Sequence, residues 1–187
     1  LTQSGSTTLS TETLTGDTTG SVDLGNANTV PTLGAFTSDG LTLNDDDALS
    51  LAGAVSGGTG LVTLKASGAG ATLTLGANNV SGTGVTLEGV GVTQSSGSTV
   101  NAGSGAILVN GGDGTIDMAG ALTTTSDAAT AATVENATTV ELPAITTGST
   151  GTTTIGVAGD TAGAVTQSPS TVISTGTLTG DATGSVN

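Results

Sequence analysis

Residues 2–22 read TQSGSTTLSTETLTGDTTGSV, and 164 positions later residues 166–186 read TQSPSTVISTGTLTGDATGSV, identical at 16 of 21 places without a gap. A return in fixed register constrains this chain more than any single motif, because self-similarity at a fixed period marks an array of stacked units. On this reading residues 1–164 are one tandem repeat unit and residues 165–187 begin the next. The two copies are then expected to hold the same coil position and to superimpose after translation along a common axis.

The side chains that usually carry chemistry are almost absent. The chain has no His, Cys, Trp or Tyr, one Phe, and a single basic residue, Lys65, against 15 acidic ones, for a formal charge of -14. Binding nucleic acid needs cations that displace counterions from phosphates, so nucleic acid is excluded as a partner. An anionic membrane surface is excluded on the same ground. No apolar run approaches the roughly 20 residues of a spanning helix, and no membrane insertion is expected of this segment. Without Cys there is no disulfide framework.

Aliphatic residues recur two apart and are followed, after Gly or Ala, by another aliphatic residue. Leu49-Ser50-Leu51-Ala52-Gly53-Ala54-Val55 is matched by Ile116-Asp117-Met118-Ala119-Gly120-Ala121-Leu122, and Leu73-Thr74-Leu75 leads to Val80, as Val85-Thr86-Leu87 leads to Val90. Alternation of this kind specifies strands with one buried and one wet face. Turn clusters such as Ser56-Gly57-Gly58-Thr59-Gly60 and Asn110-Gly111-Gly112-Asp113-Gly114 separate them, with residues that tolerate positive φ.

Stepping through positions 22, 49, 73, 116 and 140, with 186 renewing 22, gives intervals that suit the coils of a solenoid. The fold class is therefore all-β, a parallel β-helix of about seven or eight coils per 164-residue repeat, each coil roughly two strands wide. A narrow interior of that kind is filled by Val, Leu, Ile, Ala and Thr and would be burst by Trp or Tyr.

Candidate sites are few. Ser-His catalysis is impossible without His, and the Gly-Lys pair of a phosphate loop is missing. Asp45-Asp46-Asp47 is the one dense acidic cluster; between Leu43 and Leu49 it reads as a solvated turn, with Asn44–Asp47 as candidate calcium oxygens. Gly111-Gly112-Asp113-Gly114-Thr115-Ile116-Asp117 resembles the calcium-binding nonapeptide of repeat-in-toxin proteins, except that its aspartate comes one residue late and so faces the other side of the strand. Asn79 and Asn136 head glycosylation-type triplets that carry no assigned role. Runs such as Thr123-Thr124-Thr125 raise ice binding, but the expected register drifts, and Thr serves as a strand former. No catalytic, cofactor-binding or metal residue is assigned, and no enzyme activity or cofactor is expected.

The stretch VTQSSGSTVNAGSGAILVNGGDGTIDMAGALTT, residues 92–124, with the Thr/Ala/Gly-rich coils that follow, resembles the repeat regions of filamentous-haemagglutinin-like exoproteins and large autotransporter adhesins of Gram-negative bacteria. The resemblance implies a right-handed parallel β-helix at the bacterial cell surface. The expected function is a structural extracellular fibre or stalk segment, for adhesion, biofilm matrix or sheath, with a ligand-binding solenoid for glycan or ice as the alternative. The expected partner is the chain itself, through end-to-end stacking of repeats and lateral association of fibres.

Overall fold

The computed structural model describes all residues, Leu1 to Asn187. It contains twenty strands and no helix, and every strand-to-strand pairing is parallel. The chain winds as a β-solenoid of about seven turns with three faces, one more than the two-strand coil expected from the sequence. The first face stacks Val22–Asn28, Leu41–Asp45, Val62–Ala66, Val85–Glu88, the openings of Ile107–Met118 and Ala132–Leu142, Thr152–Ile155 and Thr177–Gly180. The second stacks Leu49–Leu51, Leu73–Gly76, Val92–Gln94, the ends of the two long strands, and Ala162–Gln167. Short strands from Val55–Ser56 to Ile173–Ser174 make the third. Near the amino terminus Thr13–Asp17 and Thr32–Thr37 run through the second and third faces together.

Alternation in the sequence becomes in-and-out alternation in the stack. On the first face Leu41, Val62, Val85 and Ile107 lie one above another in register and are fully buried, as are Leu43, Leu64, Leu87 and Val109. Like sits on like, so one continuous cluster of 36 buried residues runs along the axis. Phe36, the only aromatic ring, is accommodated because residue 16 in the coil beneath is Gly: a Cβ there would lie 2.6 Å from the ring. Polar groups enter the interior only at a corner. Asn28 is fully buried, donates to the carbonyls of Leu24, Asn26 and Asn44 at 2.8, 2.8 and 3.0 Å, and accepts the Leu9 amide at 2.8 Å, tying three coils together.

The sequence pairs 49–55 and 116–122 as equivalents, and so does the fold: Leu49, Leu73, Val92 and Ile116 form one ladder, Val55, Val80, Val100 and Leu122 another. The interval of 43 residues between positions 73 and 116 is indeed two coils, with Val92 between them. Val90 is not an interior residue; it is 37% exposed at a corner, and Val92 takes the inward place.

Position 22 does not belong to the series 49, 73, 116, 140. Val22 stacks under Leu41 on the first face, whereas the others are on the second. The consequence corrects the expected superposition by translation. Seven steps carry the Val22 ladder to Leu178, about 22 residues per coil, so 164 is not a whole number of coils. Thr2 bridges to Asp23 on the first face, but its counterpart Thr166 pairs with Glu141 on the second; Val22 is on the first face and Val186, bridged to Val165, on the second.

Because each inward leucine fills a close-packed layer, Leu64→Ala should lower stability by about 2–5 kcal/mol. Urea unfolding followed by circular dichroism checks this, with Thr63→Ala on the outer side expected to cost well under 1 kcal/mol.

Candidate functional site

The outward positions of the three faces are where a ligand would be met, and each is the middle residue of an aliphatic-x-aliphatic triplet. On the first face Thr42, Thr63 and Thr86 stack in one file, Leu108 interrupts it, and Thr133 and Thr154 resume it. The neighbouring file on that face is Asn44, Lys65, Glu88, Asn110 and Glu135. The second face presents Ser50, Thr74, Thr93, Asp117, Glu141 and Thr166. No face carries two adjacent files of threonine, and none carries an aromatic side chain.

Charges in these files are locally managed. Lys65 Nζ meets Glu88 Oε2 at 2.7 Å across one coil step, both side chains partly exposed. Ion pairs of this exposure contribute about 0–1 kcal/mol, so the only basic side chain is spent on an intrafibre contact of modest value. Two coils on, Asn110 Nδ2 donates to Glu135 Oε1 at 3.3 Å. Partial burial, with Asp160 and Glu88 nearby, raises the Glu135 carboxyl above the usual range despite that bond. Asp39 moves the other way, held below the usual range by the hydroxyl and then the amide of Thr59, which both donate to its Oδ1.

The acidic cluster is not a uniformly solvated turn. Asp46 and Asp47 are exposed, but Asp45 ends the strand Leu41–Asp45 pointing inward, stacked on Asn28 and fully buried. Its Oδ1 accepts the Val30 amide at 2.6 Å, and its Oδ2 has no partner. Burial raises its pKa, and the charges of Asp47 and Asp46 add to the rise. Position 45 looked outward-facing in the sequence because it sits in a run of three acids; the strand period counted from Leu41 and Leu43 places it inside. No group of three acidic side chains converges as a metal site. Asp113, in the segment resembling the calcium nonapeptide, occupies a corner with φ of 64°, and Asp117 projects outward from the second face beside Glu141. Asn79 accepts the Thr99 amide at 2.8 Å, and Asn136, at φ 54°, donates to Asn110.

Both ends of the stack are open. At the amino-terminal end Leu1, Leu9, Leu14, Val22, Leu24 and Phe36 line a hollow of about 640 Å³. At the other, Leu142, Ile155, Val165, Leu178, Ala182 and Val186 line one of about 430 Å³. Leu1, Leu178 and Val186 are each more than half exposed there. Compared with protein-family models, curated proteins and solved structures, the chain matches none.

The buried Asp45 fixes a pH dependence. Its folded pKa lies above that of the unfolded chain, so the folded state holds the proton longer, and this residue's contribution to stability falls as pH rises from the unfolded value through the folded one. Asp45→Asn keeps an oxygen for the Val30 amide and cannot ionise. The variant should gain stability relative to the parent between pH 3.5 and 7, measured by denaturant midpoints at each pH.

Proposed function

We propose that the chain is a segment of a structural extracellular fibre or stalk, of the kind built by giant repetitive surface proteins of Gram-negative bacteria. The observation that carries this reading is the renewal of residues 2–22 at 166–186 in a stack whose two terminal coils leave their backbone edges and apolar interior uncovered. Coils continuing the stack would cover both. Each would satisfy the amide and carbonyl groups of the edge it meets, which are otherwise templates for unwanted pairing. The resemblance of residues 92–124 to adhesin repeats agrees with a surface location.

Two features favour a spacer over a ligand binder. The outward files change residue type from coil to coil, so no flat rank repeats a single spacing against a lattice or a glycan. The charge is spread rather than focused, with -14 formal charges along the rod and the single cation paired to Glu88. A rod needs only length, stiffness and solubility, and each is a property of the stack as a whole.

Chains carrying one, two and three repeat units should appear by electron microscopy as unbranched rods that lengthen by about 35 Å per unit, given ~4.8 Å between stacked coils. Compact particles whose length does not grow with unit number would overturn the reading. Uniform negative charge also sets the ionic response. Side-by-side association of rods, followed by light scattering, should rise as salt shortens the screening length from ~30 Å at 0.01 M to ~8 Å at 0.15 M.

A further inference from the structure

The renewed segment repeats its local structure as well as its sequence. Gln3 Nε2 donates to the Thr7 carbonyl and Gln167 Nε2 to the Thr171 carbonyl; Thr7 Oγ1 donates to Ser4 and Thr171 Oγ1 to Ser168; Thr11 Oγ1 donates to Thr13 and Thr175 Oγ1 to Thr177. Even the one awkward substitution is absorbed. Gly5 has φ of 59°, its counterpart Pro169 cannot, and the left-handed conformation moves to Ser170 at 64°. The same coil is therefore built twice, but one face out of phase. The ladder that starts at Val22 ends at Leu178, the counterpart of Leu14, while Leu14 stacks under Leu33 on the second face, where Val186, the counterpart of Val22, ends the Val165 ladder.

We propose that the carboxy-terminal edge of the stack is an interaction surface for the next copy of the same repeat, received with a rotation of roughly one third of a turn about the fibre axis. This rests on the fibre reading above. The structure itself supplies the seam, because residues 22–37 already cover the coil 1–17: the Asp23 amide donates to the Leu1 carbonyl, Leu33 stacks on Leu14 and Thr37 on Asp17. Since 166–186 reproduces 2–22, the coil that fits over it has the sequence of residues 24–41 of the following unit, with its Leu33 over Leu178 and its Leu41 over Val186. Every later coil of that unit then inherits the offset.

Rotation has a consequence for the surface. The Lys65–Glu88 pair and the threonine file of the first face move to the second face in the next unit and return to the first only after three units, roughly 105 Å along the axis. Features wind around the fibre instead of forming a stripe. Two fibres side by side can then match the same patch only at that long interval, which opposes flat sheet-like bundling and leaves end-to-end growth as the dominant contact.

The test uses a two-unit chain, residues 1–187 followed directly by a second copy of residues 24–187, with nitroxide labels on paired cysteines. In one variant Thr86→Cys is introduced in both units; in the other, Thr93→Cys in the first unit, on the second face, is combined with Thr86→Cys in the second. Both pairs are separated axially by roughly 35 Å. Rotation brings the Thr93/Thr86 pair onto one face, so its electron–electron distance should be the shorter of the two, with both distributions narrow. Narrow distributions in which the Thr86/Thr86 pair is the shorter would overturn the rotation and leave the fibre standing. Broad distributions for both pairs would show that the units do not stack into one solenoid and would overturn the fibre reading with it.

Discussion

The backbone hydrogen bonds that run from each coil to the next, parallel to the axis, are what the rest of the structure depends on. Every strand is only two to twelve residues long, so no strand pair is stable by itself, and each gains its partner only when a whole coil has closed. That requirement fixes the faces and frees the corners. Coil-to-coil steps range from 19 residues, Val22 to Leu41, to 28, Ile145 to Ile173, and the ladder absorbs the difference in turns such as the one around Pro169 and Ser170. With strands locked in register, an inward residue always meets an inward residue one coil away. The narrow interior follows, and so does a composition of Val, Leu, Ile and Ala with one Phe seated over Gly16.

The same constraint explains why the surface is varied without harm. An outward residue has its Cβ in water and two like-placed neighbours along the file, so Thr42, Thr63, Thr86 and Leu108 exchange at small cost while the buried residues beside them do not. Sites demand the opposite, a few side chains held together from distant parts of a chain. A stack of coils brings together only residues one coil apart on one face, and this chain puts Thr, Ser, Asn and isolated acids there. Asp45 is the exception that points inward, and its cost is borne by a packed corner shared with Asn28, not by a ligand.

Much of this was legible from the residues. The two-apart aliphatic pattern gave the strands, the pairing of 49–55 with 116–122 gave two true ladders, and the 43-residue gap was read as two coils. What failed was the assignment of faces. Val22-Asp23-Leu24 and Leu49-Ser50-Leu51 have the same pattern because both faces obey the same in-and-out rule, and periodicity carries no label that tells one face from another. Placing Val22 in the series of Leu49 hid the third face and made 164 residues look like a whole number of coils. Asp45 was missed for a related reason: its neighbours Asp46 and Asp47 made composition speak louder than the strand period that Leu41 and Leu43 had already set.

Coil modularity is the central claim, and deletion in and out of register tests it most directly. Removing residues 62–84 takes out one strand from each face, Val62–Ala66, Leu73–Gly76 and Val80–Ser81, and lets Val85 land on Leu41 in the place of Val62. Removing residues 62–72 takes out about half as much chain but turns every later coil out of phase with the coils before it. Monitored by urea unfolding, the whole-coil deletion should retain a cooperative transition and a β-sheet spectrum close to the parent's, and the half-coil deletion should lose both. A whole-coil deletion tolerated no better than the half-coil one would contradict a stack of interchangeable coils.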